Sequence, residues 1–201
     1  MDNKDFNNNT HEDYKETPQR KLLVAKFENY LHSTSSLAKF SQVNTGGTKL
    51  DENSLTSKFE RWQKELGSPT LFRDHLMQLI DMRIEEDSKK AKNLRFYTKD
   101  SDVYNAAWVS RFVFSKIKNC DPSKAPYKPA KETVAALAIG LRLDITETEK
   151  FFHKAGYHLS EDLFKDKLIR FCISEQMYNM FDVNYLLNFY GHPPLGEKPR
   201  D

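Results

Sequence analysis

The sequence predicts an all-helical protein, and three observations carry that reading. Apolar residues in each hydrophobic segment recur three and four positions apart, the spacing that lines one face of an α-helix. Short alternating runs of β-branched residues, the mark of strands, are missing from the sequence. No internal period of about 20 to 50 residues repeats, which argues against a solenoid or propeller.

Composition narrows the class. The 201 residues, 38% of them hydrophobic, suffice for one main core with a smaller annex and not for two large domains. Basic and acidic side chains number 31 and 29, a net charge of +2, so any electrostatic role has to be local. The two cysteines, Cys120 and Cys172, are too few for a disulfide framework and fit unpaired thiols in a reducing compartment. No apolar signal segment opens the chain, and no stretch reaches the roughly 18 apolar residues that cross a bilayer, so a cytoplasmic protein without membrane contact is expected.

The elements follow in order. Residues 1–18 hold almost no apolar side chains, and ordering them would cost about 1 to 2 kcal/mol of backbone entropy per residue, so a disordered arm is expected. After Pro18, Leu23, Phe27, Tyr30 and Leu31 predict an amphipathic helix over residues 20–40. Leu55, Phe59, Trp62 and Leu66, followed by Gly67, predict a second over 55–66. Ser68 and Pro69 start a third, with Leu71, Phe72, His75, Leu76, Leu79, Ile80 and Met82 facing inward and a charged, solvated tail.

Two short helices come next. Asp100 or Ser101 can cap the first, which buries Val103 and Ala107. Ser110 can cap the second, with Phe114 and Ile117 inward and Arg111, Phe112, Ser115, Lys116 and Lys118 on the other faces. The intervening "WVS" has the length of a turn that sets two helices steeply across each other. Beyond a Pro-rich loop, Val134, Leu137, Ala138 and Leu141 mark one face of a helix whose Ala135 and Ala136 allow a close neighbour. Residues 144–157 form a further helix with Phe151 and Phe152 inward and Gly156 as C-terminal cap. Two aromatic-rich helices end the ordered chain at "HPP".

In these segments the sequence resembles the helical DNA-binding domains of the phage-repressor or Xre type, with a five-helix lambda-repressor-like fold. The resemblance covers roughly residues 70–157, less than half the chain. "DSDVYNAA" resembles the scaffold helix and "VSRFVFSKIKN" the recognition helix; "KPAKETVAALAIGLRLDIT" resembles the packing helix and "ETEKFFHKAGY" the closing one. Val109, Ser110, Arg111, Phe114, Ser115, Lys116 and Ile117 carry the match in the recognition helix. The chain departs from the family at Tyr104, where a small residue is usual, and at Trp108, where a Gly stands at the turn. The resemblance implies duplex DNA as partner, read by Ser110, Arg111, Phe112, Ser115, Lys116 and Lys118, and a homodimer to meet two half-sites.

Local charge agrees. From Val109 to Lys131 six basic side chains (Arg111, Lys116, Lys118, Lys124, Lys128, Lys131) face one acid, Asp121, a local +5 that leaves −3 for the rest of the chain. That many cations would neutralise about four to six phosphates. A capped N-terminus at Ser110 adds backbone donors, and Arg is the better bidentate reader of guanine.

Other patterns point to nothing chemical. "NTGGTK" at 44–49 lacks the glycine spacing of a phosphate loop and reads as a linker. His153 and His158 have no Cys or carboxylate at ligand spacing, so no metal or other cofactor is expected. No nucleophile with a base and no paired carboxylates form a local pattern, so no enzymatic activity is expected. The aromatic crowd of Tyr178, Phe181, Tyr185, Phe189 and Tyr190 suggests a core with a surplus left for a subunit interface.

The expected organisation is therefore a disordered arm (1–18), a helical annex (19–67), a repressor-like helix-turn-helix domain (68–158) and a C-terminal helical extension with tail (159–201). The expected function is that of a DNA-binding transcriptional regulator or antitoxin-like autoregulator. The alternative is a non-enzymatic module on the same fold that holds a partner protein.

Overall fold

A computed structural model of the chain describes residues 15–41, 69–121 and 127–196. The helix expected over 55–66 and most of the N-terminal arm lie outside the described residues, as do "NTGGTK" and Lys124.

The protein is all-α. Eight α-helices make up the described residues: α1 (Pro18–Ser41), α2 (Pro69–Ser88), α3 (Asp100–Ala106), α4 (Arg111–Lys118), α5 (Lys131–Gly140), α6 (Ile145–Lys154), α7 (Phe164–Ser174) and α8 (Met180–Phe189), with a single 3₁₀ turn at Lys92–Leu94. No strand occurs among the described residues. Buried side chains from every helix join one apolar cluster that runs from Phe27 to Leu195.

α5 is the axis of that cluster. Every residue from Val134 to Gly140 is buried, so the single face read from Val134, Leu137 and Ala138 extends all the way round. A helix that is apolar on all sides has to be enclosed, and α3, α6 and α8 all pack on α5. Small residues permit the approach: a Cβ added at Gly140 would stand 2.6 Å from the Ala107 Cβ.

The stripe that α2 turns inward differs from the expected one at two places. Phe72, Leu76, Leu79 and Ile80 are buried, but Met82 is 43% exposed. The helical turn instead carries the stripe through Arg83, which reaches the Leu141 carbonyl oxygen at 3.2 Å and the Glu147 carboxylate at 2.8 Å, and on to Asp87. The tail of α2 is thus not wholly solvated: Asp87 is buried and accepts from the backbone N–H groups of Phe96 and Tyr97, both at 2.7 Å.

Five helices close in the same way. After α3, α5, α6, α7 and α8 a residue enters the left-handed region, at Trp108, Arg142, Gly156, Gln176 and Gly191. In each the next N–H donates back five residues, as Val109 does to Tyr104 at 2.8 Å and Tyr157 to Phe152 at 2.9 Å. Three of these positions carry a side chain that pays the steric cost of positive φ. Arg142 lays its guanidinium 3.8 Å from the Phe96 ring centroid, and Trp108 packs as described below; nothing in the structure explains Gln176.

α1 lies on α7 and α8, which joins the N-terminal helix to the C-terminal ones. Phe27 is fully buried in a cage of Phe164, Phe171 and Tyr190, with centroids 5.1 to 5.5 Å away. Arg20 clamps the other end, 3.6 Å from Asp182 and 4.8 Å from the Tyr185 ring. The aromatic surplus is therefore largely consumed inside the chain: Tyr185 is buried, Tyr190 half-buried, and Phe189 is the exposed member of the group. Both cysteines are unpaired and buried.

Candidate nucleic-acid interface

The start of α3 is fixed by a carboxylate three residues in. Asp102 accepts from the Thr98 N–H at 2.8 Å, the Thr98 hydroxyl at 2.7 Å and the Lys99 N–H at 3.2 Å. Lys99 is thus the N-cap, in place of the expected Asp100 or Ser101. Burial pushes the Asp102 carboxyl up, but these bonds outweigh it and hold the group below its ordinary range.

α3 ends in the Trp108 turn and α4 starts at once. Ser110 caps α4 as expected, its hydroxyl accepting from the Val113 N–H at 3.2 Å. Phe114 and Ile117 are buried, and Phe114 meets Tyr104 at 5.1 Å between centroids. The bulk at Tyr104 therefore fills the angle between α3 and α4. α2 backs α4, where Arg73 donates to the Cys120 carbonyl oxygen at 3.0 Å.

The turn is held from behind by the C-terminal part. Asn184, fully buried, accepts from the Leu195 N–H at 2.7 Å and donates to the Leu195 carbonyl at 3.0 Å. This seats the tail so that a Cβ on Gly196 would stand 2.5 Å from the Trp108 carbonyl oxygen.

The side chains expected to contact DNA share one exposed side of α4: Ser110, Arg111, Phe112, Ser115, Lys116 and Lys118 are all exposed. Their partners differ. Arg111 makes no ion pair among the described residues. Lys116 faces no carboxylate there; its ammonium lies 4.2 Å from the Phe112 ring centroid and 5.5 Å from that of Tyr127. Ser115 accepts from the Asn119 side chain at 3.0 Å. Lys118, by contrast, is paired with Asp100 at 2.5 Å across the α3–α4 junction. Two further cations of the basic segment are also engaged: Lys131 pairs with the buried Asp166 at 2.5 Å, and Lys128 lies 4.5 Å from the Tyr157 ring centroid.

An open cleft of about 430 Å³ runs between α3 and α4, lined by Lys99, Asp100, Ser101, Tyr104, Arg111, Phe114, Ser115 and Lys118. Sequence reasoning missed Lys99 and Tyr127 as neighbours of the basic face. Lys99 carries a local signal, the step before the Asp102 cap; Tyr127, in a Pro-rich loop, carries none. Among the described residues no three His, Cys, Asp or Glu side chains group as metal ligands, and no helix is long and apolar enough to cross a membrane.

Comparison with protein-family models, curated proteins and solved structures finds no match to this chain.

Proposed function

We propose that the chain binds duplex DNA through α4, with α2 to α6 acting as a lambda-repressor-like helix-turn-helix domain and the whole as a cytoplasmic, non-enzymatic transcriptional regulator or antitoxin-like autoregulator. The observation that carries this reading is the outward side of α4: among the described residues, Arg111 and Lys116 stand exposed with no carboxylate against them, beside a Ser-capped helix start. A cation without an internal partner keeps its full attraction for phosphate, and a helix start offers unpaired N–H groups to the same anion. Lys118 contributes less than its sequence position suggests, because binding phosphate requires leaving Asp100. The expected dimer gains little from Tyr185 and Tyr190, which α1 covers, or from Phe181, which packs on Trp108; of the group Phe189 is left exposed.

A second reading, a module that holds a partner protein, is favoured by Phe112, 68% exposed at the centre of the same face. Equilibrium binding to a randomised duplex pool at several salt concentrations separates the two. With Lys118 and Lys131 paired to carboxylates, four of the six cations remain to neutralise about four phosphates per chain, which gives a log–log salt slope of about −4. Absence of duplex affinity, or affinity that ignores salt, rejects the DNA reading.

A further inference from the structure

Phe112 and Lys116 are one turn apart on α4, and their geometry is specific. Phe114 and Ile117 of the same helix are buried, so the 68% exposure of Phe112 is not forced by crowding in the core. The Lys116 ammonium lies against that ring, 4.2 Å from its centroid, with the Tyr127 ring on another side at 5.5 Å. Two rings thus restrict a side chain that otherwise loses much rotamer freedom when it binds, and they do so without neutralising it. The face presents an apolar disc with a cation 4.2 Å from its centre, near enough for the two groups to meet neighbouring base pairs, whose planes are about 3.4 Å apart.

Of the four bases, thymine alone offers an apolar group in the major groove, its C5 methyl; guanine offers two acceptors, O6 and N7, and no donor. We propose that Phe112 and Lys116 together read a thymine next to a guanine, Phe112 packing on the thymine methyl and Lys116 donating to guanine O6 or N7. The proposal rests on the DNA-binding reading above and adds the base step that α4 selects.

The test begins with the full chain and a duplex selected from a randomised pool. Each thymine is then replaced by 2′-deoxyuridine, which lacks the methyl. One replacement is expected to weaken binding about fourfold, the effect of leaving one methyl group unburied, and 5-bromo-2′-deoxyuridine at that position to restore it. Phe112→Ala, with unchanged far-ultraviolet circular dichroism, removes the difference between thymine and uracil. At the adjacent guanine, 7-deazaguanine (lacking N7) or 2-aminopurine (lacking O6) weakens the wild type but not Lys116→Ala. A selected duplex indifferent to uracil everywhere, or a uracil effect that persists in Phe112→Ala, overturns the proposal and leaves DNA binding standing. Failure to select any duplex overturns both.

Discussion

The Trp108 indole stands edge-on to the Phe181 ring, with centroids 4.7 Å apart and planes at 86°. Trp108 has φ of 53°, where a side chain costs about 1 to 2 kcal/mol. Edge-to-face packing of two aromatic rings offsets roughly that amount. The joint between α3 and α4 is therefore held by α8, an element more than 70 residues further along the chain.

Replacing Trp108 separates the two effects. Trp108→Gly loses the ring but relieves the backbone; Trp108→Ala loses the ring and keeps the strain. Urea unfolding is expected to rank wild type above the Gly variant and the Gly variant above the Ala variant, the last two differing by about 1 kcal/mol. Equal stability of the two variants would mean that the turn is unstrained.

Gly140→Ala puts a methyl group into Ala107, with backbone as well as side chain in the way. Because the neighbouring Cα cannot swing aside, α3 and α5 have to separate. A loss of about 1 to 3 kcal/mol in thermal or denaturant unfolding is expected. A neutral result would show that α3 is loosely seated on α5.

Asn184→Ala removes both bonds to the Leu195 backbone. Each buried group left without a partner costs about 1 to 3 kcal/mol unless the tail detaches into water. Hydrogen exchange is expected to accelerate at Leu195 and then at Val109, whose turn the tail covers. Unchanged protection at Leu195 would contradict the clamp.

Asp87 sets an acid limit. Its burial pushes the carboxyl up, but the Lys90 ammonium and the N–H groups of Tyr97 and Phe96 outweigh this and hold it below its ordinary 3.8. A folded value below the unfolded one means that its stabilisation is complete above about pH 4 and is lost as pH falls through the folded value. Asp102 acts in the same direction. Stability measured by denaturant is expected to fall below about pH 4, and Asp87→Asn to be less stable at neutral pH with a shallower acid decline. An Asp87→Asn decline as steep as wild type would exclude Asp87 as a contributor.

What could be read in the sequence was the local part. The caps at Ser110 and Gly156 act within one turn, and so does the burial of Phe114 and Ile117; a window of a few residues contains their causes. Met82 was misplaced because apolarity outvoted geometry: the inward stripe of α2 continues through Arg83, whose charge is tolerated by Glu147, 64 positions away. The engagement of Lys118 by Asp100 and of Lys131 by Asp166 likewise depends on separations of 18 and 35 positions. A count of basic residues therefore overstated the charge available on α4. The packing of Phe27 of α1 against Tyr190 belongs to the same class of long-range facts.

The most direct measurement compares the wild type with the Arg111→Ala/Lys116→Ala double variant on a selected duplex, with far-ultraviolet circular dichroism recorded for both. The expected result is unchanged helicity and affinity at least about tenfold weaker, since each such base or phosphate contact contributes about 1 to 3 kcal/mol. Unchanged affinity would contradict the assignment of α4 as the DNA-facing helix.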